Sequence, residues 1–141
     1  MINKIKAIIE KDLPLVTNLA NVAAILNEME DINWCGFYLT KDNYLYLGPF
    51  QGEAACTTIP FEKGVCGKAA TEKKSVIVND VLKFPGHIAC SAKSRSEIVV
   101  PIIKDNKVVG VIDIDSPSYN RFTEKDKQLL EEVASMIASL F

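Results

Sequence analysis

Apolar positions follow a helical period at both ends of the chain and an alternating period in between, and the changes of period divide it into elements. Near the N-terminus, Ile5, Ile8 and Ile9 stand at helical spacing. Asp12-Leu13-Pro14 reads as a restart, with Asp12 as the cap and the proline in the first turn. Leu15, Leu19, Val22, Ala23 and Leu26 then make the buried face of a second helical piece. From residue 33 to 51 the period changes. Trp34, Gly36 and Tyr38 share one parity, and Cys35, Phe37 and Leu39 share the other, as in a strand covered on both faces. Lys41-Asp42-Asn43 is a turn signal, and residues 44–50 follow as a second strand, which predicts a β-hairpin with a longer loop.

Residues 54–59 read as a third strand ended by Pro60, and residues 62–72 as a short helix entered through Gly64 and Gly67. Val76-Ile77-Val78 is a short buried strand, and residues 79–96 are a loop broken at Pro85-Gly86. Residues 97–103 and 108–115 are two apolar strands joined across Lys104-Asp105-Asn106-Lys107, a second hairpin. The C-terminal segment is an amphipathic helix. Thr123 and Asp126 form a variant capping box, and Leu129, Leu130, Val133, Ile137 and Leu140 form its apolar face. Antiparallel pairs with helices at both ends predict an α+β layered domain, not a doubly wound parallel sheet.

Composition narrows the function classes. The 141 residues suit one domain with a real core, and the net charge of −2 comes from interspersed signs. There is no basic stripe, so no nucleic-acid partner is expected. Glu10, Lys11 and Asp12 interrupt the apolar run after the N-terminal lysines, so no secretory signal is read there. No segment has the roughly 18 apolar residues of a membrane span, and no membrane role is expected. The four cysteines, Cys35, Cys56, Cys66 and Cys90, would suggest disulfides in a secreted chain. The expected compartment is the reducing cytoplasm, where cysteines are more often buried, metal-binding or catalytic. Their spacings fit no zinc pattern, and the only histidine is His87, so no metal site is expected.

Cys90 is the first candidate for chemistry, because it lies in a long loop and long loops in compact domains are usually functional or disordered. A nucleophilic thiol needs access and nearby positive charge, which His87, Lys93 and Arg95 are close enough in sequence to supply. Burial as a structural cysteine is the alternative. Either Cys56 or Cys66 can pair with Cys90 if the fold brings them together, and Cys35 reads as a core residue. Asp113 and Asp115 are two residues apart on a strand and so share a face. The hairpin register brings Glu97 near their level. Three acids on an apolar sheet face need a cationic or hydrogen-bonding partner unless they sit at exposed strand ends. Such a cluster would hold an ammonium group, or keep a proton for general-acid work. Trp34 and Tyr38 are positioned either to line an apolar pocket beside a small ligand or to fill the core.

These motifs resemble a known family. Pro85-Gly86-His87-Ile88-Ala89-Cys90, Ser94-Arg95-Ser96-Glu97-Ile98-Val99-Val100-Pro101, Asn33-Trp34-Cys35-Gly36-Phe37-Tyr38, Gly64-Val65-Cys66-Gly67 and Gly110-Val111-Ile112-Asp113-Ile114-Asp115-Ser116 are together similar to the free methionine-(R)-sulfoxide reductases, which are stand-alone GAF-domain enzymes. The resemblance implies one GAF-like catalytic domain over residues 1–141, with a central antiparallel sheet of about six strands and the N- and C-terminal helices on one face. It implies Cys90 as the catalytic cysteine, Cys56 as its resolving partner and Cys66 as an auxiliary thiol. Glu97, Asp113 and Asp115 would bind free methionine sulfoxide, with Trp34 and Tyr38 around its methylsulfinyl end. No cofactor is implied beyond an external dithiol, thioredoxin, and a homodimer through the terminal helices is compatible with it. A ligand-binding GAF sensor and a thiol redox sensor are the competing functions, and turnover separates both from an enzyme.

Overall fold

A computed structural model describes residues 1–87 and 90–141. The elements are α1 (Ile2–Ile8), α2 (Leu15–Leu26), β1 (Trp34–Lys41), β2 (Tyr44–Gln51), β3 (Thr58–Pro60), α3 (Gly64–Glu72), β4 (Val76–Val78), β5 (Ser96–Lys104), β6 (Lys107–Ser116) and α4 (Glu124–Ala138), with a 3₁₀ turn at Val81–Lys83. The six strands form one antiparallel sheet in the order β3-β2-β1-β6-β5-β4. No helix among the described residues is long and apolar enough to cross a membrane.

Helices cover both faces of the sheet. On one face α1, α2 and α4 bury Ile5, Leu19, Val22, Leu26, Leu130, Val133 and Ile137 against Cys35, Phe37, Ile98, Val100, Ile112 and Ile114. The other face carries α3 and a second cluster with Trp34, Tyr38, Val65, Cys66, Val99 and Val111. From Ile98 to Ile102 on β5 and from Gly110 onward on β6, odd and even residues serve different cores; a register shift between Ile102 and Ile103 breaks the alternation, so that Val108 joins Val111 on the α3 side. The apolar faces of the terminal helices are occupied within the chain. α4 begins with the expected box: Thr123 accepts from the Asp126 amide while Asp126 accepts from the Thr123 amide. Its buried stripe adds Ala134 and Ala138, with Leu129 and Leu140 half-buried at the margin.

Three local readings change. Asp12 caps nothing: Pro14 is itself the residue preceding α2, with no side-chain cap. The α1–α2 connection is instead held by buried Asn18, whose Oδ1 accepts from the Glu10 amide at 2.9 Å while its Nδ2 donates to the Glu10 carbonyl at 2.7 Å. The first hairpin has no longer loop. Lys41 still pairs with Tyr44, so the turn is Asp42-Asn43 alone, with φ of 53° and 63°. Asp105-Asn106 closes the second hairpin in the same way, at 51° and 64°. Positive φ at both central residues gives the turn whose twist matches antiparallel strands, and Asp and Asn tolerate it. Finally, the third strand shrinks to Thr58–Pro60 and residues 54–57 run without regular structure. The expected loop over residues 79–96 contains the 3₁₀ turn, and its Ile88-Ala89 part lies outside the described residues.

Candidate active site

Strand register gathers the acids. Glu97 on β5 pairs with Asp115 on β6, Val99 pairs with Asp113, and on the other side of β6 Trp34 pairs with Asp115 and Gly36 with Asp113. The side chains of Trp34, Tyr38, Glu97, Asp113 and Asp115 consequently lie on one face, the one α3 covers. All five line a cavity of ≈ 100 Å³, together with Cys66 from α3, Cys90 and His87 from the loop after β4, and Asn33, Glu53, Lys93 and Ser94. Cys66 sits low in this space because α3 is drawn close to the β3 end. A Cβ on Gly67 would lie 2.7 Å from the Phe61 carbonyl oxygen, so only glycine allows that approach.

Glu97 and Asp113 are buried, with 7% and 6% of their surface exposed, which rules out solvated strand ends for these two. Cys66 Sγ and one carboxylate oxygen from each lie within 4.8 Å of one another. Burial, then the charges of Asp113 and Asp115, push the Glu97 carboxyl well above its ordinary range. Asp115 is pushed up in the same way by burial and by Asp113. Asp113 is raised by burial but held back by hydrogen bonds from Glu97 and Cys66. The cluster thus retains protons where isolated carboxyls have lost them. Among the described residues, Asp113 Oδ1, Asp115 Oδ1, Asn33 Oδ1 and His87 Nδ1 are buried without a hydrogen-bond partner. Three buried oxygens around one cavity suit a ligand that donates several hydrogen bonds, as an ammonium group does.

The cysteines divide by place. Cys56 and Cys90 form a disulfide across 34 residues of chain, with Cα atoms 5.5 Å apart. Cys66 is a buried free thiol held well above the usual range by burial and by the charges of Asp113 and Glu97, so it stays protonated and unreactive in this arrangement. Cys35 is buried on the opposite face, where its Sγ donates to the Ala23 carbonyl at 3.4 Å, and burial followed by the charge of Asp113 pushes its thiol up to about 12. The positive charge near Cys90 is largely engaged elsewhere. Lys93 pairs with Glu53 at 2.6 Å, Arg95 donates to the carbonyls of Ala92 and Ser94, and burial lowers the His87 pKa.

Comparisons with known proteins identify the family and the fold. The GAF domain family model covers residues 12–141. The free methionine-R-sulfoxide reductase of Escherichia coli is 46% identical over 132 residues, which span 93% of this chain and 80% of that protein. The Saccharomyces cerevisiae protein of the same name is 51% identical over 131 residues, 86% of this chain and 73% of that one. This chain belongs to the GAF-domain family of free methionine-R-sulfoxide reductases. The fold agrees. The X-ray structure of free methionine-R-sulfoxide reductase from Neisseria meningitidis in complex with its substrate superposes with a TM-score of 0.93 at 45% identity, covering 99% of this chain and 84% of that one. The α+β GAF fold, with its six-stranded antiparallel sheet, is the one expected of a free methionine-R-sulfoxide reductase.

Sequence reasoning missed several lining residues. Asn33 donates to Ser94 Oγ at 3.3 Å and turns its buried oxygen inward. Ser94 is itself buried and lines the cavity beside Asp115. Both sit inside motifs quoted for the family resemblance, but a lone Asn before a strand and a lone Ser in a loop carry no chemical signal. Glu53 had none either, since its part is played by its backbone carbonyl and an exposed ion pair.

Proposed function

We propose that this chain reduces free methionine-(R)-sulfoxide to methionine, with Cys90 as nucleophile. The observation that carries this reading is the Cys56–Cys90 disulfide, whose Cys90 lines the same cavity as buried Glu97 and Asp113 and half-buried Asp115. The Cys90 thiolate attacks the sulfoxide sulfur, an acid of the cluster gives the oxygen its proton, and methionine leaves while Cys90 becomes a sulfenic acid. The Cys56 thiol then displaces the hydroxyl as water and forms the disulfide. An external dithiol, thioredoxin, exchanges with it and restores both thiols. Protonated Glu97 suits the proton-donor role, and Asp113 and Asp115 suit the substrate's α-ammonium group. A residue within a peptide lacks that ammonium group, so the free amino acid is preferred. Trp34 and Tyr38 wall the methyl end, and Cys66 is an auxiliary thiol. Residues 1–141 act as a single catalytic domain working in the cytoplasm.

The test is turnover with reduced thioredoxin or dithiothreitol on each free epimer and on a peptide containing the R sulfoxide. Methionine from the free R epimer is expected. No turnover of that epimer, or equal turnover of the peptide, would overturn the assignment. Cys90→Ser should abolish methionine formation.

A further inference from the structure

The two aromatic walls of the cavity are bonded to the segment that carries Cys56. The Tyr38 hydroxyl donates to the Cys56 carbonyl oxygen at 2.9 Å, and Trp34 Nε1 donates to the Glu53 carbonyl oxygen at 3.0 Å. Residues 52–57 lie outside the strands, and the Thr57 carbonyl accepts from the Leu47 amide at 2.9 Å. The chain also runs tightly over the indole: Gly52 has φ +133°, and a Cβ there would lie 2.6 Å from Trp34 Cδ1. Tyr38 is 2% exposed in a strand paired on both sides, so its hydroxyl is a fixed point. Burial also keeps the phenol protonated, and therefore a donor.

We propose that Tyr38 is a positioning residue for the second half of the reaction, holding the Cys56 backbone where its thiol meets the sulfenic acid on Cys90. This rests on the reductase reading above. In that step the Cys56 S–H bond and the Cys90 S–O bond break, the S–S bond forms, and the proton leaves with the hydroxyl as water. No further oxidant is required, because the sulfoxide has already supplied the oxidising equivalent. Two cysteines 34 residues apart need their backbones brought to 5.5 Å; the Thr57–Leu47 backbone bond anchors one side of Cys56, and the Tyr38 hydroxyl holds Cys56 itself. Attack of Cys90 on the sulfoxide does not use Cys56, the group that this hydrogen bond holds.

The experiment uses reduced protein, one equivalent of the free R sulfoxide and no reductant, in a Cys66→Ser background so that only Cys56 can resolve. Tyr38→Phe keeps the ring and removes the donor. Because Tyr38 also walls the methyl end of the substrate, disulfide formation is read relative to the methionine burst of the same variant. Disulfide formation should slow about tenfold, the scale of one lost hydrogen bond, and the dimedone adduct of Cys90 should rise accordingly. Trp34→Phe, which removes the neighbouring donor, should shift the same partition. In a Cys56→Ser background, adding Tyr38→Phe should change the adduct yield no further, a result that a merely structural role would not give. An intact burst with unchanged disulfide rate overturns the role of Tyr38 alone, as does a parallel fall in both steps or a further rise in adduct without Cys56. Absence of the burst in the unsubstituted protein overturns the reductase reading, and this role with it.

Discussion

Glu97, Asp113 and Asp115 crowd one buried patch of sheet, and the protein pays for their ligand-binding arrangement in stability. Their carboxyls have folded pKa values above the unfolded ones, raised first by burial in all three cases. A raised carboxyl contributes stability that is fully present below the unfolded pKa, about 4, and is lost as pH rises through the folded value. Glu97→Gln keeps the shape and removes the ionisable group, so folding no longer has to take up a proton there. It should therefore be more stable than the parent by about 1–2 kcal/mol at neutral pH, with the difference fading towards pH ~4. Thermal denaturation across that range checks this, and a difference independent of pH would contradict it. Activity should move the other way. Loss of the proton donor lowers the rate, so the variant should be stabler and slower together.

At the scale of elements, most of the fold was legible because period and turn chemistry are local. Alternation in β6 gave the face shared by Asp113 and Asp115, but the Asp105-Asn106 turn alone would set Glu97 opposite Ile114; the register shift between Ile102 and Ile103 moves the pairing by one residue and sets Glu97 opposite Asp115, a bulge that the pattern did not show. The capping box at Thr123 was legible for the same reason. What the pattern could not show depends on partners distant in sequence. Residues 54–57 look like a strand, but only the Thr57 carbonyl bonds to β2, while the Tyr38 side chain takes the Cys56 carbonyl and Trp34 takes that of Glu53 just before the stretch. The choice of Cys56 over Cys66 as partner of Cys90 is likewise a matter of place, since Cys66 is fixed by α3 beneath the acids. Gly36 is a more exacting position than its strand context suggests. A Cβ there would lie 2.4 Å from Phe50 Cβ and 2.8 Å from Phe50 Cα, beside the bulge where two β2 residues oppose Phe37. Backbone cannot yield as a flexible side-chain tip does. Gly36→Ala should therefore cost about 1–3 kcal/mol in urea or thermal unfolding, and a loss within about 0.5 kcal/mol would contradict this packing.

For the molecule as a whole, the redox state of one bond changes how firmly the cavity wall is tied down. The Cys56–Cys90 link joins the segment before β3 to the loop before β5, closing a chain of 34 residues that includes β3, α3 and β4. Much of the cavity lid lies within that closed loop, including Cys66 and His87. In the chain-entropy picture, closing a loop of this length removes unfolded-state freedom equivalent to about 3–4 kcal/mol. For a chain of this size that corresponds to roughly 10 °C in midpoint. The oxidised protein should therefore melt about 10 °C above the dithiothreitol-reduced protein. The comparison must be made without sulfoxide, because a bound substrate would stabilise the reduced form by mass action. A Cys56→Ser/Cys66→Ser variant, in which Cys90 has no partner on this face, should melt at one temperature in either condition. Equal midpoints for the oxidised and reduced parent would mean that the reduced native segment is loose, so that the bond takes from the native state the same freedom it takes from the unfolded one. A full gap requires that the hydrogen bonds of Trp34 and Tyr38 already hold residues 52–57 against the sheet in the reduced protein. Tyr38→Phe should therefore narrow the oxidised–reduced gap if its bond positions Cys56 for Cys90, and leave it unchanged if it does not.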